Sequence, residues 1–326
     1  KALADELVKR GHKVILIVDG QKRNLEQEGE LSIRTWPTKH PKSLKDFAFF
    51  YRILLRFHPD CVIGNFSPAN VALSTSWLFG VKTRIIWNHT SSKAVQREKN
   101  VSDLIFKYHM ARHTLLFALC THIVSVSAAA RQEIIKNHKV NPIKCHVIYN
   151  SLHDPISLNN QISQENRKNQ KIVCVGSLNS NKGQDVLLDA FSRIVKRYSG
   201  VTLKLIGSGN KRNYLEELAL KLEVIDKCEF LGAIPHDQVL DVIAQADVTV
   251  VPSLDEAFGL VVIEAMALSI PVVASAVGGI PEILTDGKEG FLVPPNNAEL
   301  LAEKILLLLQ NSEQKLHMGI AGRQTF

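Results

Sequence analysis

Two carboxylates eight residues apart, Glu256 and Glu264, flank an Ala-Phe-Gly turn within the stretch 252–282, PSLDEAFGLVVIEAMALSIPVVASAVGGIPE. Paired carboxylates invite a glycosidase reading, in which one is the acid and the other the nucleophile. The spacing argues against it. Eight residues of helix separate two groups by ~12 Å and an extended path by ~26 Å, whereas glycosidase carboxyls stand about 5 to 9.5 Å apart. A division of labour fits better: Glu256, on a loop, accepts hydrogen bonds from hydroxyls near a phosphate, and Glu264, one turn into a helix, reaches a ribose. Against both stands the plain alternative of two solvated helix-face residues.

The segments around these residues favour an anionic ligand. Residues 246–252, ADVTVVP, form a β-branched run that predicts a buried strand, and residues 260–268 carry helix formers. Gly259 permits close approach of backbone at the junction. The first amides of such a helix have no intrahelical partner, and the summed peptide dipoles place about half a positive charge there. Phosphate suits that position. Gly278-Gly279 opens a second helix near the same place.

Further strands complete the frame. Residues 171–178, KIVCVGSL, predict a strand, followed by Asn179-Ser-Asn-Lys-Gly183 and a helix from about Gln184 with apolar Val186, Leu187, Ala190, Phe191 and Ile194. Lys182 lies at that turn, where a flexible ammonium reaches a diphosphate. Residues 201–206 predict a strand ending in Gly207-Ser-Gly209, and 228–231 another, ending in the turn 232–235. The Gly-x-Gly lacks the third glycine of a dinucleotide fingerprint. Strands alternate with helices throughout, so the class is α/β with a parallel sheet whose loops collect at one edge.

Four segments, VGSLNSNKGQDVLLDAF, FLGAIPHDQVLDVIAQADVTVVPS, EAFGLVVIEAMALSIPVVASAVGGIPEIL and DGKEGFLVPP, resemble in order and spacing the nucleotide-sugar domain of the retaining glycosyltransferases of family 4. Weaker likenesses, RGHKVILIV, HPDCVIGN, VKTRIIWNH, CTHIVSVSAAARQEI and HVIYNS, extend the resemblance over nearly the whole chain. It implies a GT-B fold: two Rossmann-like doubly wound domains facing each other across a cleft. Residues 1–153 would be the acceptor-side domain, 154–170 a polar linker and 171–326 the nucleotide-sugar domain. It also implies roles. Glu256 would bind donor-sugar hydroxyls, the amides of Phe258, Gly259 and Leu260 sugar and phosphate, Glu264 the ribose, Lys182 the diphosphate, and the backbone near Ala233 and Ile234 the base. Ser177, Gly207 and Ala257 complete the donor-binding set, and His89, after a strand at 83–87, would stand beside the reacting sugar.

The chain departs from the family pattern in three places. Gly176-Ser177-Leu178 stands where an arginine is usual, so one cation on the leaving diphosphate is replaced by a hydroxyl whose neutral hydrogen bond is about half as strong as a charge-assisted one. Lys211 or Arg212 is the expected substitute. Ala257 replaces a glycine, and Asn150-Ser-Leu-His153 replaces an Asn-Gly-Val-Asp type of segment. The sequence starts without Met on a helix rather than on a strand and glycine-rich loop, and stops inside a helix. A fragment of a longer protein is therefore expected, its first strand lacking and the strand's neighbours left unpaired.

Charge divides unevenly, with 23 Lys and Arg against 11 Asp and Glu in residues 1–153, and 16 against 21 in the rest. A basic first domain suits an anionic membrane surface or a lipid-phosphate acceptor. Residues 42–56, KSLKDFAFFYRILLR, read either as an interfacial helix or as one packing on the sheet. No motif of a nucleic-acid binder accompanies the charge. The five cysteines lack a Cys-x-x-Cys pair and read as reduced, buried thiols of a cytoplasmic protein. His109 and His113 have a metal-compatible spacing but Met110 stands where zinc proteases place a glutamate, and no Asp-x-Asp occurs. No metal or cofactor is expected. The expected reaction is metal-independent transfer of a hexosyl group, with retention, from a nucleoside diphosphate sugar to a hydroxyl of a glycan or lipid-linked glycan. UDP-sugar is preferred to GDP-mannose. A non-catalytic nucleotide-sugar binder and an epimerase or hydrolase of the same fold are the alternatives, and the expected place is the cytoplasm or the inner membrane face.

Overall fold

The structure, a computed structural model, describes residues 2–18, 30–38, 41–65, 69–90, 103–155 and 170–326. The chain forms two units, one of Lys1–Asn88, Lys107–Ser125 and Ile134–His146, the other of His89–Phe106, Val126–Glu133 and Val147–Phe326. In chain order the first elements are α1 (Ala2–Lys9), β1 (Val14–Val18), β2 (Leu31–Thr35), α2 (Leu44–Phe57), β3 (Cys61–Asn65), α3 (Ala69–Phe79), β4 (Thr83–Asn88), α4 (Asp103–Leu119), β5 (His122–Ser125), α5 (Ala128–His138) and β6 (Cys145–Val147). Strands β1 and β2 pair in parallel as a two-stranded sheet, and β3-β4-β5-β6 form a separate four-stranded sheet in that order.

Helix α2 shows how local chemistry fixes an element of the first unit. Asp46, fully buried, accepts hydrogen bonds from the Ser43 amide (2.8 Å), the Ser43 hydroxyl (2.7 Å), the Lys42 amide (2.9 Å) and the Thr38 hydroxyl (2.9 Å). That is the reach-back half of a capping box, with a charge at the positive end of the helix. Phe50 and Leu54 then bury against Trp36, Val62, Val71, Ala72 and Val81. The outer face keeps Leu44, Tyr51, Leu55 and Phe57 exposed. Packing against the unit's core therefore holds for one face, and the apolar residues of the other face stay in solvent.

Desolvation pushes the Asp46 carboxyl up, but the hydrogen bonds from Ser43, Thr38 and Lys42 outweigh it and hold the group below its ordinary 3.8. Its contribution to stability is therefore complete above the unfolded value and is lost as pH falls through the lower folded value. Asp46→Ala strands several donors and is expected to cost about 3 kcal/mol at neutral pH, read as a lower urea midpoint. The gap between wild type and Asp46→Asn should narrow as pH drops below 3.8; a gap independent of pH would show that the charge is unimportant.

The second unit continues with β7 (Gln170–Val175), α6 (Gln184–Arg197), β8 (Val201–Ile206), α7 (Arg212–Lys221), β9 (Cys228–Gly232), α8 (His236–Ala244), β10 (Val248–Val251), α9 (Leu260–Ala267), β11 (Val272–Ser275), α10 (Ile280–Ile283), β12 (Gly290–Val293), α11 (Ala298–Gln310) and α12 (Ser312–Thr325). The sheet is parallel, in the order β12-β11-β10-β7-β8-β9. Every residue of β10 and β11 is buried, as continuous β-branched runs require when helices cover both faces. Period-two alternation splits β7 between two cores: Ile172 and Cys174 meet Leu187, Phe191 and Ile194 of α6, while Val173 meets Val262 and Met266 of α9. The chain leaves β7 toward β8 and β9 on one side and β10 toward β11 and β12 on the other. The carboxyl ends of β7 and β10 therefore flank a topological switch point, where open α/β sheets bind ligands.

Residues 156–169 of the expected linker lie outside the described residues. At its start, Arg323 of α12 holds Asp154 at 2.5 and 2.9 Å. Among the described residues no helix is long and apolar enough to cross a membrane. All five cysteines are free, and burial pushes the thiols of Cys120, Cys174 and Cys228 up to about 12. The expectation that all five are buried needs correction, because Cys61 is exposed on a strand whose alternate residues face solvent.

Candidate functional site at the switch point

The loops after β7 and β10 are locked together at backbone distance. Gly183, at φ +64°, lies so close to the Pro252 carbonyl that a Cβ there would sit 2.1 Å from the oxygen. Asn181 supplies two rungs, its side-chain amide donating to the Asp255 carbonyl (2.7 Å) and its carbonyl accepting from the Leu254 amide (2.8 Å). Asn179 donates to the Ser177 hydroxyl (2.9 Å), and Gln184 to the Ser177 carbonyl (3.0 Å). The expected donor-site serine is thus bonded within its own loop.

Across this junction Lys182 Nζ meets Glu256 Oε2 at 2.6 Å, with 25% and 18% of the two side chains exposed. The Ser253 hydroxyl adds a 3.4 Å contact to the same carboxylate oxygen. Beside this pair the backbone of residues 256–259 turns into α9 through Gly259 at φ +105°. The Glu256 carbonyl accepts from Gly279 (3.0 Å), and the Ala257 carbonyl from the Ser127 hydroxyl (2.6 Å). Trans peptides oppose C=O and N–H, so the amides of Ala257 and Phe258 point away from these partners. The amides of residues 257–260 donate to no described residue, although Phe258 and Gly259 are buried. Buried amides without partners are costly, and here they converge with a helix start and a lysine, which suits phosphate oxygens.

Glu264, one turn into α9, is only 6% exposed. Its neighbour is His236, 3.9 Å away at the start of α8, directly after the turn carrying Ala233 and Ile234. Burial raises the Glu264 carboxyl, and His236 partly offsets it. Gly207, also expected at the site, donates to the Gly232 carbonyl (2.8 Å), which ties the loop after β8 to this second end. The arrangement has two ends: a cation, a carboxylate and amides at one, a desolvated carboxylate and an imidazole at the other.

His89 follows β4 directly, and burial pushes its imidazole below the ordinary 6.5. The expected substitute cations stand on the loop after β8, where the Lys211 amide donates to the Leu178 carbonyl (3.0 Å) beside Ser177. Arg212 pairs with Glu216 (2.8 Å) and donates to the Phe230 carbonyl (3.2 Å), while Lys211 lies over the Tyr214 ring at 4.5 Å. No His, Cys, Asp or Glu cluster among the described residues could hold a metal ion. Sequence reasoning passed over Asn181, His236, Ser127 and Glu282. Of these, only His236 carried a local signal, at a helix start beside the turn expected to meet the base.

Residues 156–325 match the family described as glycosyl transferases group 1, and residues 1–153 match glycosyltransferase family 4. The phosphatidylinositol N-acetylglucosaminyltransferase gpi3 subunit of Schizosaccharomyces pombe is 28% identical over 307 residues, 90% of this chain; the match spans 65% of that relative's own length. The sucrose-phosphate synthase of Thermosynechococcus elongatus superimposes with a TM-score of 0.80 at 20% identity, covering 99% of this chain and 86% of the other. Anabaena HepE, solved with UDP and glucose, does so with a TM-score of 0.75 at 19% identity, covering 96% and 94%. With both halves matched and the switch-point loops in place, the chain has the GT-B fold and belongs to the glycosyl transferases group 1 family.

Proposed function

We propose that the chain carries the donor site of a glycosyltransferase that moves a hexosyl group from a nucleoside diphosphate sugar to a hydroxyl of a glycan or lipid-linked acceptor, with retention and without a metal ion. The observation that carries this is the Lys182–Glu256 pair beside the undonated amides of residues 257–260. On binding, Lys182 exchanges Glu256 for the diphosphate, which frees Glu256 to accept hydrogen bonds from the sugar hydroxyls. Negative charge growing on the leaving diphosphate then meets an ammonium and fixed backbone dipoles that need no reorganisation. Glu264 holds the ribose, with the base over the Ala233–Ile234 turn beside His236. His89, kept neutral by burial, offers a hydrogen bond at the reacting sugar rather than a charge. UDP-sugar is the preferred donor, in keeping with the UDP bound by HepE and the N-acetylglucosaminyl transfer named for gpi3.

The test is a thermal-shift and turnover screen of the full-length gene product with UDP, GDP and their sugars. A bound nucleotide at ~100 times its Kd adds about 2.7 kcal/mol. Acceptor-dependent product of retained configuration, unaffected by EDTA, is the expected result. If no nucleoside diphosphate shifts the transition, the proposal fails; inhibition by EDTA removes the metal-free part alone. A second reading, a nucleotide-sugar binder without transfer, draws on the Ser177 hydroxyl where the family has an arginine and on the engagement of Lys211 and Arg212 elsewhere. It predicts donor binding with neither transfer nor donor hydrolysis.

The exposed apolar residues of α2, with Lys45, Arg52 and Arg56 on the same helix, support peripheral attachment to an anionic membrane at the cytoplasmic face. Co-sedimentation with phosphatidylserine vesicles but not phosphatidylcholine vesicles is the expected outcome.

A further inference from the structure

Three side chains outside the donor loop brace it, Ser127 and Tyr149 directly and Glu282 through the start of α5. Ser127 donates its hydroxyl to the Ala257 carbonyl at 2.6 Å and accepts the Ala130 amide at 3.0 Å, so one oxygen joins the start of α5 to the loop. Glu282, in the short helix α10 that follows Gly278-Gly279, takes the Ala128 and Ala129 amides at 2.7 Å each, one per carboxylate oxygen. Tyr149 stacks on Phe258 with ring centroids 5.8 Å apart and planes inclined by 23°, and burial together with the Glu282 carboxylate raises its phenol above the ordinary 10. The packing leaves little slack, because a Cβ on Gly279 would stand 2.9 Å from Ser127 Cβ and 2.6 Å from the Ala257 carbonyl.

From this geometry we infer that Ser127 and Glu282 are positioning residues that set the plane of the Ala257–Phe258 peptide and so aim the Phe258 amide at the donor's phosphate. The inference rests on the proposed function and adds the residues that orient its amides. A trans peptide has one rotational freedom as a plate, and fixing its oxygen fixes the opposite N–H. Ser127 holds that oxygen. Glu282 holds Ser127 in place, since its two charge-assisted bonds cap the helix start that carries the serine. Neither side chain needs to touch the ligand: both act through the backbone between Glu256 and Gly259. The effect belongs to the transition state, because the aimed dipole gains most as charge develops on the diphosphate.

The experiment compares Ser127→Ala, Ser127→Thr and Glu282→Gln with wild type in the full-length protein, using UDP-glucose and GDP-mannose as probes. It measures UDP and GDP binding by calorimetry, kcat and KM for transfer or donor hydrolysis, and Tm. Ser127→Ala is expected to lower kcat about tenfold to a hundredfold, within the span of a lost oriented donor, with donor KM changed less than threefold. Ser127→Thr, which keeps the hydroxyl, should recover to within about threefold of wild type, and Glu282→Gln should fall between them. A merely structural role would lower Tm and leave kcat per folded molecule unchanged. The inference is overturned if Ser127→Ala keeps wild-type kcat, or if Ser127→Thr is as impaired as Ser127→Ala while both remain folded. Should wild type bind neither nucleotide and turn over neither sugar, the proposed function fails instead, which separates the two outcomes.

Discussion

Replacing Lys182 with alanine should reduce sugar transfer by about a hundredfold to a thousandfold, the usual loss when one preorganised stabiliser of developing charge is removed. The prediction follows from how little else is positioned to neutralise the diphosphate. Ser177 stands where a second cation is usual, and Lys211 and Arg212 are held by Tyr214, Glu216 and the Phe230 carbonyl. Stability should change far less, by about 1 kcal/mol, because the pair retains solvent contact and Glu256 can hydrate once alone. Glu256→Gln keeps the shape and one acceptor but removes the charge that stations Lys182. It should lower kcat less than Glu256→Ala does. The double variant Lys182→Ala, Glu256→Ala is expected to be scarcely worse than Lys182→Ala, since residues acting as one unit are non-additive. Independent, multiplying losses in steady-state kinetics would show that the 2.6 Å contact has no functional meaning.

Much of the second unit could be read before its structure was known, because its signals are local. The run 246–252 is β-branched from Val248 to Val251, which become the fully buried β10, and the apolar spacing after Gln184 becomes the buried face of α6. Gly259 and Gly183 announced turns, and both adopt the left-handed backbone. What was not legible depends on contacts between distant residues. Lys182 and Glu256 were each marked as ligand-facing, yet their direct pairing across 74 positions is a product of loop packing at the switch point. Ser127 and Glu282 carried no local pattern, since a serine before a helix reads as an ordinary cap and a glutamate after Gly-Gly as a solvated face. Nor was the pairing of Arg212 anticipated. It was expected, with Lys211, to replace the missing arginine, and in the structure it pairs with Glu216 at i+4.

Gly278→Ala should be among the most damaging single-methyl additions in the second unit. At φ +53° an L side chain already costs about 1 kcal/mol, and the added Cβ would lie 1.7 Å from the Glu256 carbonyl oxygen and 2.8 Å from its carbon. Something must move. The neighbouring Gly279 amide holds that same carbonyl at 3.0 Å, so relief comes only by displacing the backbone of Glu256 and, with it, the carboxylate that meets Lys182. A destabilisation of about 3 kcal/mol or more is expected, as for other strained backbone positions that cannot relax, together with loss of UDP or GDP binding in the molecules that remain folded. Gly287→Ala is the matched control: its φ of +80° carries the same conformational penalty, but nothing lies within 4 Å of the new Cβ. It should cost about 1 kcal/mol and leave nucleotide affinity intact. Urea unfolding gives the first comparison and calorimetry the second. Equal effects at the two glycines would mean that backbone conformation alone governs both, and that the contact between the 278 turn and the Glu256 loop does not hold the donor site.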